Sequence, residues 1–225
     1  KGLSGKTIPS FLREFSAPVK LVYDYTDNDL AFLMAKDSDD FTRWEAGQIY
    51  ALRIIFRNVK SFHRGDTLFA DEEFLSAFEN VLSDKSLENS FKSIALSLPS
   101  ENYVSELMDS IDIEGVNAAR KYLIESIAKR FRQQFLSMYL RLNKSTPYSF
   151  NKEEYGKRNL KNRALYYLMQ IGGKEEIELC YNQYKDGNNM TDVMAALSLL
   201  VDVNCPQRQL ALDEFYLKWK HDALV

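Results

Sequence analysis

"KDGNNMTDVMAALSLL", residues 185–200, sets a glycine and two asparagines ahead of Thr191 and Asp192 and then runs into apolar residues. Such a stretch suits an anion- or metal-binding loop, a glycan acceptor, or the start of a helix. The choice separates a chain that carries chemistry from one that carries packing. Gly187 suits a left-handed end to one helix. Asn189 suits the N-cap of the next, with Asp192 three residues later in a box-like arrangement. Val193, Leu197 and Leu200 then share one helical face. The stretch therefore reads as a turn between two packed helices. Its Asn189-Met-Thr191 glycosylation pattern has no meaning in a cytoplasmic protein.

Outward from this turn the pattern stays helical. Upstream lies a helix over about 174–186, preceded by one opened by Asn151 with Glu154 as a capping box and closed at Gly172-Gly173. Asp112 opens the longest predicted helix, to about Leu142, with Val116, Leu123, Ile127, Phe131, Phe135, Met138 and Leu142 on its apolar face. Three shorter segments carry Phe74, Phe78 and Leu82, then Leu87, Phe91 and Ile94, then Val104, Leu107 and Met108. Asp40 opens a long helix carrying Phe41, Trp44, Ile49, Leu52, Phe56 and Val59, which closes at Gly65. Thr26 caps a helix whose first acids suit the helix dipole. Downstream, Pro206 suits a first helical position, ahead of Leu212, Phe215, Tyr216 and Trp219.

Ten helices joined by short turns predict a predominantly all-α fold of stacked αα-hairpins, a right-handed, solenoid-like superhelix. Helix starts fall at irregular intervals, unlike a tetratricopeptide or ankyrin array. Residues 1–25 differ. Pro9 and Pro18 break helices there, and Val19, Leu21, Tyr23 and Tyr25 alternate as in a strand. A lone strand makes no sheet of its own. The expectation is that residues 1–25 end a preceding domain, and that the helical part is cut at "WKHDALV", which has no cap or tail.

The 225 residues are 45% hydrophobic and 27% charged, with a net charge of -3, which suits a globular chain and disfavours nucleic acid as partner. No apolar run is long enough to span a membrane. Cys180 and Cys205 read as reduced core thiols of a cytoplasmic protein.

Little else points to chemistry. His63 and His221 form no His-Glu-x-x-His pair and read as surface or helix-end residues. "SGKT" (4–7) imitates the end of a phosphate loop, but Ile8-Pro9 follows where a helix is required. "DYTDND" and "KDSDD" lack the glycine and glutamate of a calcium loop and read as helix caps. No Gly-x-Ser-x-Gly elbow is present. "KRFRQQF" (129–135) and "GKRNLKNR" (156–163) read as solvated helix faces, or alternatively as a docking face for an acidic partner domain or a channel wall. No catalytic, cofactor-binding or metal-binding residue is assigned.

Longer stretches carry a resemblance. "PSFLREFSAPVKLVYDYTDNDLAFLMAKDSDDFTRWEAGQ" (9–48), "YGKRNLKNRALYYL" (155–168), "NNMTDVMAALSLL" (188–200) and "YLKWKHDALV" (216–225) closely resemble, in order, segments of the bacterial aminopeptidase N family of zinc metallopeptidases. That resemblance implies a four-domain enzyme that removes N-terminal amino acids from peptides. Residues 1–25 would be the last strand or strands of its small β-sandwich. Residues 26–225 would be most of its C-terminal helical domain, truncated at the C-terminal end. The family's His-Glu-x-x-His zinc site and Gly-x-Met-Glu-Asn amine-binding motif are absent here. The parent enzyme would hold zinc. This segment would hold none and would instead scaffold and cap the active-site cavity, with the catalytic domain of the same polypeptide as partner and peptides as the parent's substrates. The competing expectation is a self-standing α-solenoid that binds protein or peptide along a concave face.

Overall fold

A computed structural model describes residues 7–19, 21–144 and 147–224. Among them eleven α-helices follow one another: α1 Asp27–Lys36, α2 Asp40–Arg64, α3 Glu72–Ser83, α4 Asn89–Ala95, α5 Glu101–Glu106, α6 Ile113–Arg130, α7 Arg132–Leu142, α8 Lys152–Met169, α9 Lys174–Asp186, α10 Met190–Val201 and α11 Pro206–Trp219. A 3-10 turn at Arg13–Phe15 precedes them. The chain divides into two compact units, Lys1–Ser126 and Ile127–Val225, and the division falls within α6.

In the first unit, α1 begins with a complete capping box. Thr26 Oγ1 accepts from the Asp29 N–H at 3.2 Å, and the Asp29 carboxylate accepts from the Thr26 N–H at 3.0 Å. The predicted long helix is α2, capped at its start by the Asp39 carboxylate on the Thr42 N–H at 2.9 Å. It closes at Gly65, whose φ of 72° is left-handed. Its buried face is only partly the expected one: Leu52 and Val59 are buried as expected. Tyr50, Ile54, Ile55 and Asn58 are fully buried, whereas Phe41, Trp44, Ile49 and Phe56 are half-buried. α1, α3 and α4 all pack on α2, and Tyr50 meets Phe74 of α3 edge-on, so the core stripe is wider than one row of large residues and takes in Tyr50 and Ile54. Phe74, Phe78 and Leu82 of α3 are buried as expected, but Ile94 of α4 is exposed.

The strand expected over Val19–Tyr25 does not form, and no strand occurs among the described residues. A strand is held by ladder bonds to a neighbour, and this segment has none. Of its alternating face only Tyr25 is buried, with its hydroxyl donating to the Pro9 carbonyl at 2.8 Å.

In the second unit, α8 packs on α7, α9 and α10, and α11 on α9 and α10. The helix expected from Asp112 to Leu142 is divided at Phe131, where φ −112° and ψ 21° leave the helical range. That division makes eleven helices of the expected ten. No proline or glycine marks it, and the apolar stripe runs through it: Ile127, Phe131 and Phe135 are all buried. Tyr167 of α8 stacks on Phe135 with ring centroids 4.6 Å apart.

Gly187 also departs from expectation. Its φ of −62° and ψ of 121° are ordinary extended values. It is glycine because space is short: a Cβ there would lie 2.8 Å from Val193 Cγ2 and 2.9 Å from the Gln183 carbonyl oxygen. The left-handed glycine of this unit is Gly172, with φ 70°, just after α8. In α11 the expected apolar face is largely unburied. Ala211 is buried, while Leu212 and Tyr216 are exposed. Among the described residues no helix is long and apolar enough to cross a membrane.

Candidate functional site

The turn quoted first lies over the most polar part of the second unit's interior. Asp192, in the first turn of α10, is 4% exposed and accepts from three side chains. Lys161 Nζ reaches Oδ2 at 2.6 Å, Asn189 Nδ2 reaches the same oxygen at 2.9 Å, and Asn162 Nδ2 reaches Oδ1 at 3.0 Å. Gln183 of α9 completes the cluster, donating from Nε2 to Asn162 Oδ1 at 2.8 Å and to the Asp192 carbonyl at 3.1 Å. Its Oε1 is buried without a hydrogen-bond partner among the described residues. A buried ion pair of this kind adds little net stability over an apolar pair, whereas loss of one partner strands a buried charge.

Asn189 caps α10 as expected, its Oδ1 accepting from the Asp192 N–H at 3.0 Å. The box is half closed, because the Asp192 carboxylate turns to Lys161. At α8 the same happens: Asn151 accepts from the Glu154 N–H at 2.9 Å, while the Glu154 carboxylate takes Lys157 at 2.8 Å.

On the outer side of the turn is a groove of about 520 Å³ between α9, α10 and α11. Tyr184, Phe215 and Trp219 give it an aromatic lining, with Met190 and Val193 at the α10 end. Lys185 and Glu214 pair across its rim at 2.9 Å, and Lys218 Nζ sits 5.2 Å from the Trp219 ring centroid. The Tyr184 hydroxyl donates to the Ala211 carbonyl at 2.9 Å. The groove can hold an apolar or aromatic group. It presents no nucleophile beside a base.

The remaining predicted features are placed as follows. His63, in the last turn of α2, pairs with the Asp112 carboxylate, and Asp112 also caps α6 through the Gly115 N–H at 3.0 Å. His221 is exposed beyond α11. Cys180 is buried and donates to the Ala196 carbonyl, and burial pushes its thiol up to about 12, so it stays protonated. Cys205 is half-exposed at the start of α11 rather than in the core. Of the "SGKT" stretch, Ser4, Gly5 and Lys6 lie outside the described residues. Among the described residues no group of three or more His, Cys, Asp or Glu side chains could hold a metal ion.

The basic stretches are largely neutralised from within the unit. Arg132 pairs with Glu175 and Glu176, Lys157 with Glu153 and Glu154, and Lys161 with Asp192. Arg158 lies over the Tyr148 ring. Arg132 thus ties α7 to α9 and Lys161 ties α8 to α10, while the Lys157 pairs lie within α8.

Three cations are buried: Arg43 and Lys92 were not singled out in the sequence, and Lys161 falls in a stretch read as a solvated helix face. Arg43 donates to the Met34 and Ala35 carbonyls at 3.2 and 3.3 Å and pairs with Asp84 at 3.2 Å, so it caps the C-terminal end of α1. Lys92 donates to the Leu82 carbonyl at 3.3 Å and to that of Asp84, at the end of α3. Lys161 is the third. Its signal was available: 161, 164, 165 and 168 fall on one helical face, and the other three are buried apolar residues.

Within each unit, helices packed as neighbours around an apolar interior, with no reactive constellation among the described residues, define a helical-repeat module. Residues 27–225 match the family model described as "Domain of unknown function (DUF3458_C) ARM repeats", and the chain belongs to that family. The chain is 35% identical over its whole length to an aminopeptidase N of Haemophilus influenzae, covering 25% of that protein. It is 34% identical over 97% of its length to an aminopeptidase N of Escherichia coli, again covering 25%. A crystal structure of Legionella pneumophila aminopeptidase A in complex with aspartic acid superposes on 97% of the chain and 26% of its own, with a TM-score of 0.82 and 30% identity. The chain is thus homologous to the C-terminal helical region of aminopeptidase N, and spans about a quarter of the length of those relatives.

Proposed function

We propose that this chain is the C-terminal helical part of a zinc-dependent aminopeptidase N, which removes N-terminal amino acids from peptides in the cytoplasm. In that reading it scaffolds and caps the active-site cavity and takes no part in bond breaking. The observation that carries it is identity of 34–35% across essentially the whole chain to a quarter of two aminopeptidases N. Zinc and the water it activates would belong to the catalytic domain of the same polypeptide. The helical part would contribute shape, limiting which peptides enter and how much water surrounds the reaction. Residues 26–225 form the helical domain, and residues 1–25 complete a β-sandwich when its other strands are present to pair with them.

The test is made in the longer polypeptide that contains this chain. Deleting the helical part, or loosening it by Lys161→Met, is expected to change kcat/KM for long peptides relative to dipeptides, because access to the site is altered. Identical length selectivity with and without an intact helical part would overturn the capping role.

A further inference from the structure

The groove of about 520 Å³ between α9, α10 and α11 has the size and the lining of a small-molecule site. Met190, Val193, Phe215 and Trp219 line it, and each is only half-buried, so apolar surface there stays in contact with water. The Phe215 and Trp219 rings stand 6.4 Å apart, centroid to centroid, with their planes inclined at 43°. A further ring set between them meets at least one of the two away from a face-to-face sandwich, which is the arrangement aromatic rings prefer.

The charges along the groove do not cancel. Its charged lining residues are Lys185, Glu214 and Lys218. Lys185 and Glu214 neutralise each other across the rim at 2.9 Å. Lys218 has no carboxylate partner among the described residues, and its Nζ lies 5.2 Å from the Trp219 ring centroid. One uncompensated positive charge therefore stands beside the aromatic wall. The Glu214 carboxylate on the same rim repels a second negative charge, so a monoanion suits the groove better than a dianion.

The geometry points to a binding site for a small aromatic monocarboxylic acid, with its ring against Phe215 and Trp219 and its carboxylate on Lys218. This inference is independent of the peptidase reading.

The test is Trp219 fluorescence in the 225-residue chain carrying Trp44→Phe, which leaves Trp219 as the only tryptophan. N-acetyl-phenylalanine is the probe, with its amide and N-acetylalanine as controls. The acid is expected to change the emission saturably at millimolar concentration, and N-acetylalanine to give no saturable change. The amide is expected to bind about twofold to fivefold more weakly, the range of an exposed ion pair. Lys218→Gln is expected to bring acid and amide to equal affinity, and Lys218→Arg to restore the difference. Lys218 is exposed, so neither substitution disturbs packing. Saturation-transfer NMR with the same probe repeats the comparison of acid with amide on the longer polypeptide that contains this chain. No saturable change with the acid, equal binding of acid and amide before substitution, or a difference that survives Lys218→Gln would overturn the site. So would loss of binding in the longer polypeptide, which would mean that another segment of the protein fills the groove.

Discussion

Lys161 and Asp192 lie 2.6 Å apart with side chains 9% and 6% exposed. Removing one partner of such a pair strands a buried charge, whereas replacing both with apolar groups does not. Lys161→Met is expected to lose about 3–5 kcal/mol of stability in urea unfolding, and Lys161→Met with Asp192→Leu to regain most of it. A single substitution costing less than about 1 kcal/mol would mean that water reaches the pair. Asp84 gives a pH dependence. Hydrogen bonds from Ser86, and then the Arg43 guanidinium, pull its carboxyl down to about 2, below the usual carboxylate value of about 3.9. A depressed folded value contributes stability that is complete above the unfolded value and is lost as pH falls from about 4 toward 2. Asp84→Asn is therefore expected to flatten the fall in urea midpoint over that range; an unchanged acid limb would contradict the assignment. Single residues were legible where the signal is local. Thr26, Asn151 and Asn189 cap the helices their sequences announce, because an N-cap depends on its own backbone and the next three residues. Arg43 and Lys92 were not legible, because the carbonyls they cap belong to other helices.

Elements were legible at their ends more than on their faces. The bounds of α2, α9 and α10 follow from caps and glycines. Which side of α2 is buried depends on α1 and α3, and Phe41 and Phe56 misled because large aromatics were taken as the core while Tyr50 and Ile54 fill it. The break at Phe131 has no breaker residue, so nothing local announces it. Gly187 was read as a conformational glycine and is a spatial one. Gly187→Ala would place a methyl group 2.9 Å from the Gln183 carbonyl, a backbone atom that cannot turn away, as well as against Val193. It is expected to destabilise by about 1–3 kcal/mol in urea unfolding. A neutral or stabilising effect would show that the α9–α10 turn has room, and that glycine serves no steric purpose there.

At the scale of the whole molecule, helical content and the absence of any announced catalytic motif were both readable from the sequence. The repeat was not: helix starts are too irregular to show a period, and armadillo-type units of two or three helices tolerate such variation. The strand expected near the N-terminus depends on partners that the described residues do not supply. α11 exposes Leu210, Tyr216 and Leu217, which a helix pattern alone would place in a core. The proposal that this chain shapes a peptidase without performing its chemistry is tested most directly by hydrolysis of aminoacyl-4-nitroanilides by the purified 225-residue chain with added zinc, alongside its metal content after dialysis. No turnover above the zinc-containing buffer and no retained zinc are expected. Zinc-dependent turnover by the isolated chain would contradict it.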